Sequence, residues 1–167
     1  MTPEHGGVLA FLDQHGITYA HHVHPPVFTV EESLRLVPEL PGAKTKNLFL
    51  RDRKGARHVL VVVPHDVRVN LDALSAALGM TGLSFASPER LLKHLGITPG
   101  AVSLLALLND REHRVELVVD SGTWNADAIQ CHPLDNAATL VIPREGMRRF
   151  VEATGHRPHV IAVPASA

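Results

Sequence analysis

The apolar positions of this chain keep two rhythms. In "GGVLAFLDQHG", Val8, Leu9, Phe11 and Leu12 recur at helical spacing and the stripe stops at Gly16. Thr2 and Pro3 ahead of it read as N-cap and first helical residue. "ITYAHHVH" shifts to strand rhythm and breaks at Pro25-Pro26. Thr29-Val30-Glu31-Glu32 has the form of a capping box, and its helix should end near Pro38, because a residue before proline disfavours helical dihedrals. "NLFLRD" and "RHVLVVV" flank Arg53-Lys54-Gly55 and predict an antiparallel hairpin. Asn70 and Ser87 cap two helices, "LDALSAAL" and "PERLLKHL", closed by Gly79 and Gly96. "AVSLLALL", a turn at Asn109-Asp110 and "RVELVVD" predict a second hairpin. "ATLVI" follows as a strand, Arg144 to Thr154 as a helix with a basic face, and "PHVIAV" as a closing strand.

Hairpins set between helices, with no internal repeat and no linker-like stretch, predict a single-domain α/β protein. Its sheet should be mixed and largely antiparallel, flanked by helices. The 167 residues suit one domain. A chain of this length buries roughly 70% of its unfolded surface. A net charge of −1 supplies no global field for nucleic acid, so a polyanion would have to be held by a local patch. Cys131 is the only cysteine, which rules out an internal disulfide and fits a reducing compartment. The first residues read as neither signal peptide nor membrane span.

Against that neutral background, "PGAKTKNLFLRDRKG" stands out. Lys44, Thr45 and Lys46 lie where a Gly-containing loop meets a strand, so loop backbone and a fixed side chain can converge on one ligand atom. Lysine is a compact charge suited to a phosphate or a polarised carbonyl. Asn47 adds a donor and an acceptor, on the other face or at the strand start. Simple solvation of a hairpin explains the same basic residues equally well. In a second loop, "GITPGAVSLLAL", Gly100 leads into Ala101, Val102 and Ser103, whose backbone N–H groups can face a developing oxyanion. As a plain turn before a strand it needs no function.

The 12 histidines give little that is compelling. His22 and His24 share one strand face, yet no nearby carboxylate or cysteine completes a metal shell, and a solvated or core-edge role is the simpler account. His5, His15, His58, His94, His113, His156 and His159 read as surface residues. In Cys131-His132-Pro133 the first two side chains point to opposite faces and do not pair as thiol and base. His132, pinned by Pro133, can present an imidazole at a pocket rim. GxSxG, GxGxxG and GxxxxGK[ST] do not occur, which leaves water as the nucleophile of any hydrolysis.

The strings "HPPVFTVEES", "PGAKTKNLFLRDRKG", "LSFASPERLLKHLGITPGAVSLLALLND", "VVD" and "CHPLDNAATLVI" occur in this order. Together they resemble the free-standing prolyl-tRNA editing proteins of the YbaK-like superfamily. The likeness runs from about His24 to Val163. Its branch most similar to this chain removes alanine from tRNA for proline. The resemblance implies hydrolysis of a mischarged aminoacyl-tRNA ester in the cytoplasm, without metal or organic cofactor. It places the family's lysine on Lys46, its asparagine on Asn47, its loop glycine on Gly100 and its strand-end histidine on His132. Lys46 would hold the 3′ end, and a pocket that admits alanine but excludes proline would act as a second sieve, with Val30, Leu34 and Phe49 as candidate walls or ordinary core. The implied partner is the acceptor end of tRNA(Pro), with prolyl-tRNA synthetase or an elongation factor as a possible carrier, and neither DNA nor membrane.

One departure concerns Leu104, which stands where the superfamily loop, Gly-x-x-x-Pro, commonly has proline. Arg144, Arg148 and Arg149 either track the tRNA stem or form a solvated helix face. The rival functions are removal of cysteine or serine from tRNA, a silent module that binds aminoacyl-tRNA or a synthetase, and a metal enzyme built on His22 and His24.

Overall fold

The computed structural model describes residues 3–26, 29–36, 39–135 and 137–166, without the side chains of residues 3–6, 30, 33 and 34. Helix α1, Pro3–Gln14, buries Val8 and Leu12 completely and stops at Gly16, whose φ of 68° lies in the left-handed region. Its expected cap, Thr2, lies outside the described residues. Helix α2, Val30–Leu36, opens on the expected capping box: the Glu32 amide donates to Thr29 Oγ1 at 3.0 Å. Val37 and Pro38, where that helix was expected to end, lie outside the described residues. Helices α3, Leu71–Leu78, and α4, Pro88–Leu95, start on Asn70 and Ser87, each of which accepts a backbone amide of the first turn, and end on left-handed Gly79 and Gly96.

The strands form two sheets rather than the one expected. Strands β1 (Ala20–Val23), β7 (Ala138–Pro143) and β6 (Ala128–Cys131) make an antiparallel sheet in the order β1-β7-β6. The other sheet has the order β4-β2-β3-β5-β8, with β2 at Thr45–Arg51, β3 at His58–Pro64, β4 at Ser84–Phe85, β5 at Val115–Asp120 and β8 at Pro158–Ile161. The predicted β2–β3 hairpin is present, with Leu48 opposite Val61. Because β5 runs parallel to both β3 and β8, the sheet is mixed. Two short elements, β4 and β6, and a four-residue helix α5, Ser121–Trp124, carry too few residues for periodicity to reveal them.

The second hairpin does not form. Residues Leu104–Asn109 make a 3₁₀ helix, with Ser103 Oγ accepting from the Leu105 amide at its start. Leu104, Leu105, Ala106 and Leu107 are all buried, and a run that is apolar on every side has no period by which strand and helix can be told apart. With that partner gone, β5 pairs through its parallel neighbours instead, and helix α6, Arg144–Thr154, covers the same core with Met147, Phe150 and Val151.

Two apolar clusters sandwich the five-stranded sheet. One holds Phe49, Leu60, Val62 and Leu117 with α1, α4, α6 and the three-stranded sheet; the other holds Leu50, Val59, Val61 and Val118 with α3. Among the described residues no helix is long and apolar enough to cross a membrane.

His58 and His156, read from sequence as surface residues, are buried. His58 Nε2 lies 3.0 Å from Arg90 Nη1; a guanidinium only donates, so this nitrogen accepts and the ring is neutral. Its ring stacks on Phe49 and sits 4.1 Å from His94. Burial, then the neighbouring His94 and Arg90, lower its pKa to about 4. Above pH 6.5 the ring is neutral in both folded and unfolded chains and contributes no pH dependence. As pH falls from 6.5 toward 4 the unfolded chain takes up a proton that the fold refuses, so stability is lost, by about 1–2 kcal/mol at pH 5. Urea unfolding at pH 7 and pH 5 should show this loss in the wild type and a smaller one in His58→Phe; equal losses in both proteins would contradict the assignment.

Candidate active site at the junction of the two sheets

The start of β2 is stitched to β6. Ala43 donates to the Ala128 carbonyl at 2.9 Å, Gln130 donates back to the Ala43 carbonyl at 3.0 Å, and Thr45 Oγ1 donates to the Gln130 carbonyl at 2.8 Å. Gly42, at φ 93°, makes this approach possible: a Cβ there would come within 3.3 Å of the Ala128 carbonyl group. Ala43 and Ile129 form a parallel bridge between the sheets. Two loops therefore meet, the one that delivers Lys44, Thr45, Lys46 and Asn47 and the one that leaves β6 at His132.

Strand alternation divides the first group. Thr45, Asn47 and Phe49 take the face toward β6 and the larger cluster, whereas Lys46, Leu48 and Leu50 take the other. Lys46 and Asn47 thus straddle the strand. Lys44 and Lys46 are half-buried, and among the described residues neither ammonium has an ion-pair or hydrogen-bond partner. Asn47 Oδ1 is buried and has no hydrogen-bond partner among the described residues. A buried acceptor left unpaired costs about 1–3 kcal/mol, which is why such atoms gather where a ligand is to be held. Thr45 spends its hydroxyl on the seam itself.

His132 is half-buried at the end of β6. Its Nδ1 lies 3.2 Å from the Ala138 carbonyl, and a carbonyl only accepts, so Nδ1 carries the proton and Nε2 of the neutral ring is an acceptor with no partner among the described residues. Burial first, then nearby His24, hold its pKa below the ordinary histidine value, against the pull of the Ala138 carbonyl and Asp135. Leu134 follows at φ 66°, a conformation that costs a bulky residue about 1–2 kcal/mol and that fixes the chain just beyond the imidazole. His24 itself is buried, with Nδ1 on the Pro25 carbonyl at 2.8 Å and Nε2 on Thr139 Oγ1 at 2.7 Å. Both its ring nitrogens are engaged, so it does not pair with His22 on a metal. No group of three candidate metal ligands occurs among the described residues.

The Gly100 loop has a mixed outcome. Gly100 sits at φ 93°, and the Ala101 amide closes a turn on the Thr98 carbonyl at 3.1 Å, so that amide is not free for a ligand. Val102 packs on the core. Ser103, expected among the ligand-facing residues, is fully buried as the cap of the 3₁₀ helix. Leu104 is the first residue of that helix, a position that suits proline equally well, so the departure noted in the sequence leaves the local geometry intact. Phe49 lies in the core, stacked on His58. Val30 and Leu34 fall on α2, but their side chains are outside the described residues.

Other candidates dissolve into the fold. Cys131 is buried and its thiol pKa is pushed up to about 12, far from a nucleophile's. Arg144 and Arg148 donate to Asn125, Arg148 also lies 5.0 Å over the Trp124 ring, and Arg149 donates to the Gly16 carbonyl. A cleft of about 480 Å³ opens between Lys93 and His94 of α4 and the Asn109–Arg114 connection, and it holds none of the residues at the seam. The sequence reading missed Gln130 and Leu134. A lone polar residue inside a short apolar strand was the available signal for the first, and nothing marked the second.

Residues 24–150 match the aminoacyl-tRNA editing domain, a stretch that contains both loops. The chain is 42% identical over 149 residues to the prolyl-tRNA editing protein ProX of Acetoanaerobium sticklandii, covering 89% of this chain and 91% of that one. It is also 42% identical over 141 residues to prolyl-tRNA synthetase associated domain-containing protein 1 of Danio rerio, covering 83% of this chain and 76% of the relative. The crystal structure of a proposed trans-editing enzyme for prolyl tRNA synthetase superposes with a TM-score of 0.73 at 17% identity over 100% of this chain and 99% of that one, which establishes the common fold. The chain belongs to the aminoacyl-tRNA editing domain family, and it is a deacylase of that family.

Proposed function

We propose that this protein hydrolyses alanine from mischarged tRNA for proline, at the seam between β2 and β6. The observation that carries the site is a pair of acceptors there that have no partner among the described residues: Asn47 Oδ1, which is buried, and His132 Nε2, left free by the bond from Nδ1. An aminoacyl-tRNA end brings donors to match, namely its α-ammonium group, its ribose hydroxyl and the attacking water. The named relatives edit, or are associated with, prolyl-tRNA chemistry, and they support tRNA(Pro) as the carrier.

The ester is already reactive, so the protein has mainly to place water and stabilise charge on the carbonyl oxygen. Water adds to the ester carbonyl, the bond to the ribose 3′-oxygen breaks, and one water proton ends on that oxygen, releasing alanine and free tRNA. In this arrangement Asn47 and His132 hold the reacting end. The amides of Gly100 and Val102, which make no backbone bond among the described residues, supply oxyanion donors. Lys46, on the opposite face of β2 from Asn47, grips the 3′-terminal phosphate rather than the ester. Because each methylene is worth only about 1–3 kcal/mol in a binding pocket, a second, smaller pocket is what separates alanine from proline.

The test is the pH–rate profile of single-turnover deacylation of alanine-charged tRNA(Pro), run with and without EDTA. A neutral His132 with a depressed pKa predicts that the rate loses its His132-dependent part only below pH 6.5, and that His132→Gln removes this limb while EDTA changes nothing. A bound but intact ester at every pH would make the protein a binding module and sink the reading.

A further inference from the structure

We propose that Gln130 is the positioning residue of the site, a clamp that holds the lysine-bearing loop in register with His132. This rests on the reading of Lys46 as the RNA anchor. Gln130 is 7% exposed, and its side-chain amide nitrogen lies 3.1 Å from the Leu40 carbonyl and 3.3 Å from each of the Pro41 and Gly42 carbonyls. Its own backbone bonds Ala43 and receives Thr45 Oγ1. One residue thus touches Leu40, Pro41, Gly42, Ala43 and Thr45, and through them sets where Lys44 and Lys46 begin. His132 follows two residues later, immediately beyond the end of that strand, so the two halves of the site share this single point of reference.

The chemistry of the clamp is specific. Three carbonyl oxygens converging on one point repel one another and demand a donor with more than one proton. A glutamine amide meets that demand without adding a charge to the seam. Methionine has the same length and no donor, and glutamate has the same shape but only acceptors, so it would push the three carbonyls apart. Leu40, Pro41 and Gly42 are all partly open to water, which can replace the lost bonds; the loop then remains folded but loses its fixed position.

The experiment compares wild type, Gln130→Met and Gln130→Glu in two ways. Steady-state deacylation of alanine-charged tRNA(Pro) should show KM raised about tenfold in Gln130→Met with kcat within about threefold, the size expected from losing one or two net hydrogen bonds, and a larger rise in Gln130→Glu. Hydrogen exchange of the free protein should show faster exchange at residues 42–46 in both variants and unchanged exchange in β7. A loss of kcat at constant KM, with exchange faster throughout, would mean that the residue merely supports the fold and would overturn the proposal. Unchanged exchange at residues 42–46 would overturn it whatever the activity. If the wild type proves inactive but the local exchange still speeds up, the clamp stands and the catalytic reading of the seam fails.

Discussion

Lys46→Ala should lower kcat/KM for alanine-charged tRNA(Pro) by roughly 30- to 100-fold, the effect of losing a charge-assisted contact of about 2–3 kcal/mol at tenfold per 1.4 kcal/mol. The ammonium has no protein partner among the described residues, so its removal breaks nothing inside the fold, and thermal unfolding should be unchanged. Because one phosphate contact disappears, the salt dependence of binding should weaken by about one counterion in the logarithmic slope. Lys46→Arg should recover part of the loss, since charge is kept but the longer planar group cannot occupy the same point. The measurement is single-turnover deacylation across a salt series. A variant with wild-type salt slope and wild-type rate would remove Lys46 from the site.

Asp110→Ala should cost about 3–5 kcal/mol of stability, the range for truncating one member of a buried, hydrogen-bonded pair. The carboxylate is 5% exposed and accepts from His156 Nε2 at 2.8 Å, from the Val115 amide at 2.9 Å and from the Arg114 amide at 3.0 Å. These donors join the end of the 3₁₀ helix, the start of β5 and the turn after α6, so three elements lose their common acceptor at once. Burial raises the carboxyl pKa, but the bonds from His156, Val115 and Arg114 outweigh it and hold it below the ordinary value. The sign follows: the contribution is present above the unfolded pKa near 4 and lost as pH falls through the lower folded value. Denaturant unfolding at pH 7 should show a lower midpoint with unchanged slope, and a change under about 1 kcal/mol would show that water replaces the carboxylate.

How far the sequence reading reached depended on how local each signal was. The capping box at Thr29, the caps at Asn70 and Ser87 and the β2–β3 hairpin were legible because each is fixed by neighbours within a few residues. The stretch 101–108 was not, since burial on every side erases the period and the choice between strand and 3₁₀ helix passed to tertiary packing. For the same reason the pairing of β5 with β3 and β8 was invisible: parallel partners lie far apart in the chain. The grouping of Lys46 with Asn47 came from the motif, whereas their opposite faces follow from β2 starting at Thr45, two residues before the strand "NLFLRD" expected from the sequence. His58 and His156 looked like surface residues because nothing nearby in sequence announces Arg90 or Asp110 as partners. Gln130 is legible only in three dimensions, through carbonyls some ninety residues earlier.

The central claim is that the seam between β2 and β6 is a sieve for alanine on tRNA(Pro). The most direct measurement charges one tRNA(Pro) preparation separately with alanine, serine, cysteine and proline and follows release under single-turnover conditions. The account predicts fast loss of alanine, slower loss of serine and cysteine, and proline left in place. Release of proline at the rate of alanine, or a clear preference for serine or cysteine, would contradict it.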